Sequence, residues 1–164
     1  MDELTAALLR DCIDYDPITG IARWKKTVNS RAVSGSAIGN KRTTGYLKFV
    51  FKGKYLLVHR VAWYLEKGEW ADVIDHINGI RDDNRIENLR ACHPHENALN
   101  TRRRKDNKCG VKNVSWHKSA KKYQVQLCVN GKDVHFGYFN TLEEAEVAAK
   151  MARIEHHKAF ANHG

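Results

Sequence analysis

The stretch that most constrains this chain runs from Val73 to Asn97, VIDHINGIRDDNRIENLRACHPHEN. Val73-Ile74 reads as a short apolar strand leading into Asp75-His76. A polar loop from Asn78 to Arg85 turns at Gly79, and Leu89 to Ala91 reads as a second strand. Pro94 suits the first turn of a helix, where its missing N–H costs no hydrogen bond. That helix is expected from about Pro94 to Thr101. Strand, loop, strand, helix is thus the predicted order. It sets a carboxylate and an imidazole at the end of the first strand, Asn88 before the second, and Asn97 on the helix.

These residue types suit chemistry on a phosphodiester, whose negative charge repels nucleophiles. A divalent ion offsets that charge, and oxygen ligands suit Mg2+ or Mn2+. Asp75 supplies a hard carboxylate, and Asn97 supplies an amide oxygen without a second negative charge. His76 is then available as a base near neutral pH. His93, one helical turn before Asn97, can reach the same ion or cap the helix; His95 points to a different face. His59 and Arg60 can brace the stretch or touch a phosphate, and Asp82 and Asp83 read as a solvated turn.

The D-H, N-L and E-N elements, with the upstream Val58-His59-Arg60, resemble the HNH nuclease family of the ββα-metal fold, in particular phage and intron homing endonucleases. The resemblance spans about residues 45–100. It implies His76 as general base and Asp75 and Asn97 as metal ligands. It also implies that Asn88 braces the loop through backbone hydrogen bonds and so orients His76, and that cleavage leaves 5′-phosphate and 3′-hydroxyl ends.

The rest of the chain reads as follows. Asp2 to Cys12 is an amphipathic helix, Asp16 to Gly20 a turn, and Ile21 to Lys25 a short strand. Thr27 to Thr44 is a loop. Gly45 to Phe51 and Tyr55 to Val58 form a hairpin, and His59 to Lys67 is a helix ended by Gly68. After the charged run at 102–107 come strands at Val111–His117, Lys122–Val129 and Asp133–Tyr138. Asn130-Gly131 is a hairpin signal. Thr141 and Glu144 form a capping box that opens a helix with a stripe at Ala145, Ala148, Ala149 and Ala152.

Charge separates the two halves. Residues 1–100 carry 15 Lys/Arg against 13 Asp/Glu, whereas residues 101–164 carry 13 against 6, most of the chain's net +9. The second segment is the stronger candidate for gripping a phosphate backbone. On its middle strand Tyr123, Val125, Leu127 and Val129 share one face and Lys122, Gln124 and Gln126 the other. Residues 109–161 resemble the Apetala-two, or ethylene-response-factor, DNA-binding domain, in which a three-stranded sheet backed by one helix enters the major groove. Several arginines of the plant pattern are missing, so no target sequence follows. Lys112, Lys118, Lys121 and Lys122 are expected on phosphates, and Gln124, Gln126 and His135 at base edges. Arg102, Arg103, Arg104 and Lys105 read as a phosphate-contacting linker, and Trp116 as a packing residue.

The expected fold is α+β: a ββα-metal nuclease unit with an N-terminal β extension, plus a three-stranded antiparallel sheet packed on one helix. The expected division is 1–58 for the extension, 59–101 for the nuclease core, 102–108 for a basic linker and 109–164 for the DNA-binding domain. The expected partner is double-stranded DNA, cut or nicked by a phage homing endonuclease acting as a monomer or homodimer. Isolated cysteines and the lack of a targeting segment or apolar span point to a cytoplasmic protein, by resemblance in a phage-infected bacterial cell. One rival is a catalytically inactive DNA-binding regulator. Another is an RNA-binding or RNA-cleaving protein, against which the expected sheet face carries no aromatic row.

Overall fold

The computed structural model of the chain describes residues 3–101 and 103–162, apart from the side chains of Glu3, His95 and Ala159. The architecture is mixed α+β, with four α-helices and several small antiparallel sheets among the described residues. Two compact units divide between Cys92 and His93.

In the first unit, α1 (Glu3–Cys12) buries Leu9 and Cys12 and runs directly into β1 (Ile13–Tyr15). β1 pairs antiparallel with β2 (Ala22–Trp24). Three residues are too few for alternation to announce a strand, so β1 was not foreseen. The turn between them is held by Asp16, whose carboxylate accepts from the Ile18 N–H at 2.9 Å and the Thr19 hydroxyl at 2.6 Å. Next come β3 (Asn40–Lys41), inside the expected loop, β4 (Leu47–Phe51) and β5 (Lys54–Leu57), hydrogen-bonded in that order. α2 (Val58–Lys67) buries Val58, His59, Val61 and Ala62. It ends at Gly68, whose left-handed φ of 82° lets its N–H reach the Tyr64 carbonyl at 3.0 Å. β6 (Val73–His76) and β7 (Leu89–Cys92) then form a two-stranded ribbon. Trp24, Phe49 and Phe51 centre the main core, and Ala62, Ile74 and Leu89 form a smaller one.

In the second unit, α3 spans Pro94–Leu99, two residues shorter than expected. The three-stranded sheet has the order β10-β9-β8, from β8 (Val114–His117), β9 (Lys122–Val129) and β10 (Lys132–Phe139). β8 starts three residues later than alternation suggested. Asn113 has a φ of 67°, which breaks the extended run, and the Asn107 amide donates to the Val111 and Val114 carbonyls instead. Asn130 and Gly131 both have positive φ, as a two-residue hairpin turn requires. α4 (Leu142–His157) starts at Thr141, whose hydroxyl accepts from the Glu144 N–H at 3.2 Å. Its Ala145, Ala149 and Ala152 lie buried with Val114, Val125 and Leu127. A larger side chain on that stripe would lift the helix from the sheet and cost about 1–3 kcal/mol.

Candidate active site

Asp75 and His76 occupy the last two positions of β6, paired with Arg90 and Leu89 of β7. Successive strand residues face opposite ways, yet both side chains are buried. The cross-strand register explains the partner of Asp75. Arg90 donates from Nε and Nη2 to Asp75 Oδ2, at 2.8 and 2.5 Å.

His76 sits among rings. His59 meets it edge-on with centroids 4.9 Å apart, and Tyr46 lies 5.1 Å from His59 and 5.7 Å from His76. The Arg81 guanidinium covers Tyr46 at 5.1 Å and donates to the Thr44 carbonyl at 2.8 Å. Burial lowers the pKa of His76, against the opposing pull of the Asn84 hydrogen bond and the Asp75 charge. The imidazole is therefore held towards its neutral form. Burial also brings His59 down to about 3, with the His76 charge adding to it. His76 Nε2 lies 3.2 Å from Asn84 Oδ1. In the tautomer protonated at Nε2, the Asn84 amide oxygen accepts that proton and holds the ring in place.

Asn84 was missed by sequence reasoning, which read residues 78–85 as one polar loop. It is 2% exposed, and its carbonyl accepts from the Tyr15 hydroxyl at 2.7 Å. Close by, the Ile86 N–H donates to the Pro17 carbonyl. A Cβ on Gly20 would stand 2.5 Å from the Arg85 nitrogen, and Gly20 has a φ of +73°. The N-terminal turn thus abuts the His76 loop backbone to backbone. Asn88 braces the loop from within. Its Oδ1 accepts from the Asn78 N–H at 3.0 Å, and its Nδ2 donates to the Asp83 carbonyl at 2.8 Å.

Asp82 and Asp83 are partly exposed, as a turn would be, but both are ion-paired. Lys41 reaches Asp82 at 2.6 Å, and Arg85 grips both oxygens of Asp83 at 2.9 and 2.8 Å. The Arg85 hydrogen bond, the largest influence, helps hold the Asp83 carboxyl at about 2. Arg60 donates to the carbonyls of Asp72 and Ala71 just before β6.

Asn97 and His93 belong to the second unit, on or beside α3. Asn97 is half-buried; His93 is the N-cap residue, and its N–H donates to Glu96 Oε2 at 2.7 Å. No group of three or more His, Cys, Asp or Glu placed to hold a metal ion occurs among the described residues. One carboxylate is nevertheless a usual protein share for Mg2+, which retains waters and takes phosphate oxygens. A carboxylate offers about four lone-pair sites, so Asp75 can accept from Arg90 and still serve as a hard oxygen donor. A hard donor set of this kind fits such an ion.

Of the expected DNA contacts, Lys118, Lys122, Gln126 and His135 are exposed, and Gln124 is half-buried beside Gln126 at 3.3 Å. Lys105 is exposed, Arg103 donates to the Asn107 carbonyl, and Arg104 pairs with Asp106. Arg102 lies outside the described residues, as does the side chain of His95. Lys112 is a correction. It is 8% exposed, and its ammonium points to the carbonyls of Leu99, Thr101 and Asn162, so it cannot meet a phosphate.

The outer sheet face also differs from expectation. A bulge between His135 and Gly137 pairs Tyr138 with Gln124, which turns Tyr138 outward. Tyr138 then lies 4.5 Å from His135 and 5.0 Å from His117, so the face does carry a row of rings. A glycine inside a strand pattern was the available signal. Trp116 packs edge-on against Tyr123 at the end of the sheet. In the first unit, a groove of about 940 Å³ is lined by Asn29, Arg31, Arg42, Lys52 and Tyr55. Its three cations have no carboxylate partner among the described residues. No described helix is long and apolar enough to cross a membrane.

Residues 56–99 match the family model for HNH endonuclease. Over 70 residues the chain is 34% identical to Protein 3.8 of Escherichia phage T7. That stretch covers 43% of this chain and 58% of the phage protein. No solved structure matches the chain. The ribbon bearing Asp75 and His76, the loop braced by Asn88 and the helix bearing Asn97 therefore fall in an HNH endonuclease domain at residues 56–99.

Proposed function

We propose that this chain is a metal-dependent HNH endonuclease that nicks or cleaves double-stranded DNA, a homing endonuclease of phage origin. The observation that carries the reading is the buried His76 imidazole, lowered in pKa and fixed through Nε2 by Asn84, inside the segment that matches the family. In this reading residues 59–101 are the nuclease core, 102–108 a linker, and 109–164 a DNA-gripping sheet unit like the Apetala-two domain.

Asp75 and Asn97 would hold Mg2+ or Mn2+, which when bound offsets phosphate charge and steadies the departing 3′ oxygen. His76 takes a proton from the attacking water at Nδ1, while the Nε2–H stays on Asn84. Asn88 keeps the loop closed so that the imidazole does not turn. Arg90 holds the Asp75 carboxylate in one rotamer. Lys118, Lys121 and Lys122 attract the phosphate backbone, and Gln124, Gln126, His135 and Tyr138 meet base edges. Arg31, Arg42 and Lys52 add a second cationic surface on the first unit. The products carry 5′-phosphate and 3′-hydroxyl ends, as in the family resembled.

The test is plasmid nicking with Mg2+ or Mn2+. The wild-type chain converts supercoiled plasmid to the open circle, and His76→Ala slows this by about 10²–10⁴. Intact plasmid with both proteins, alongside tight duplex binding, would instead favour a DNA-binding regulator.

A further inference from the structure

The segment that matches the nuclease family crosses the division between the compact units, because α3 packs with the second. What holds α3 there is a buried lysine. Three carbonyls, those of Leu99, Thr101 and Asn162, surround the Lys112 ammonium, matching its three donors. Leu99 closes α3, where helix carbonyls lack partners within the helix and favour a cation. Asn162 adds a clip, its amide donating to the carbonyl and Oδ1 of Asn100 at 3.3 and 2.8 Å.

Lys112 is itself anchored. Arg153 of α4, fully buried, donates to the Lys112 carbonyl at 2.7 Å and to Asn113 Oδ1 at 3.2 Å. Asn107 closes the loop around Val111 and Gly110. The chain of support therefore runs from α4, through Lys112, to the end of the helix that carries Asn97. Burial lowers the Lys112 ammonium to about 8, with Arg153 adding to the effect. A cation kept at that cost, where an apolar side chain could fill the space, points to a positional task.

We propose that Lys112 is a positioning residue for Asn97: it clamps the carboxy end of α3 to the sheet-and-helix unit, so that the unit gripping DNA also sets the ligand amide. This rests on the nuclease reading above. Lys112 touches neither DNA nor the reacting atoms and acts only through α3.

The experiment measures Mn2+ binding by electron paramagnetic resonance, using full-length protein with duplex DNA. A His76→Ala background keeps the duplex intact. Lys112→Met should weaken Mn2+ binding about tenfold, with duplex affinity unchanged, and Lys112→Arg should recover part of the loss. Combined with Asn97→Ala, Lys112→Met should cause no further loss, since it acts through that amide. If Lys112→Met melts below the assay temperature, Asn162→Ala carries the test with a smaller loss in the same direction. Unchanged Mn2+ affinity in the clamp variants, or an equal loss with Asn97 already removed, overturns the proposal alone. An Asn97→Ala protein that binds Mn2+ as tightly as its parent overturns the metal reading and the proposal with it.

Discussion

Around His76 the charged side chains of the first unit are tied to one another: Asp75 to Arg90, Asp83 to Arg85, Arg85 to Glu87, and Lys41 to Asp82. In the second unit Lys105, Lys118, Lys121, Lys122 and Lys132 are exposed, with no carboxylate partner among the described residues. The first arrangement fixes geometry. Its buried members are little screened by salt. The second leaves charge open to a polyanion, and its effect weakens as salt rises. Groups of the same chemistry therefore fix side-chain geometry in one region and leave positive charge open in the other. Arg104 and Lys150 pair with nearby carboxylates, and Lys112 and Arg153 differ again, both buried and both holding backbone.

The contrast can be broken first at Arg90. Arg90→Met removes both guanidinium contacts from a buried carboxylate and should cost about 3 kcal/mol of stability. Chemical denaturation would measure it. The salt dependence of DNA binding should not move. A loss under about 0.5 kcal/mol, the level of an exposed pair, would place Asp75–Arg90 with the surface charges.

Acid is the next lever. The folded state keeps His59 unprotonated down to about pH 3, whereas an unfolded chain protonates it near pH 6.5. The unfolded state thus binds the extra proton between those values, and stability falls as pH drops through the window. The loss reaches at most about 1.4 kcal/mol per pH unit from this residue. Thermal melts from pH 7 to pH 4 should show it, and His59→Asn should flatten the slope. An equal slope in the variant would assign the acid sensitivity elsewhere.

A smaller change sharpens the orienting role. Asn84→Ala should slow nicking about tenfold and leave duplex affinity alone, because it frees the His76 ring without touching a surface charge. A binding defect of similar size would contradict that separation.

Legibility in the sequence followed the same divide between local and distant causes. The hairpin at Asn130-Gly131, the Thr141 cap, the alanine stripe and the ribbon of β6 and β7 are set by neighbours in the chain, and periodicity exposes them. Asp75, His76, Asn88 and Asn97 were legible as an ordered set of residue types. Asn84 was not, because its contact with His76 depends on how a twelve-residue loop closes, residues 77–88. Nor was the close approach of Gly20 to Arg85, which joins segments far apart in the chain. Lys112 resembles every other lysine in the sequence; only carbonyls from residues 99, 101 and 162 make it a buried clamp. The outward face of Tyr138 was not legible either, because one bulge reverses every side chain beyond it.

The smallest expected change per residue is in salt dependence. Lys118→Ala and Lys122→Ala should each reduce the slope of log affinity against log salt by about 0.9. Set beside His76→Ala, they give the most direct test of the central claim: single-turnover nicking at saturating protein, with duplex affinity measured in parallel. The account predicts that the lysine variants nick at the wild-type rate once bound, while His76→Ala binds normally and nicks about 10²–10⁴ times more slowly. A His76→Ala protein that nicks as fast as the wild type would contradict it.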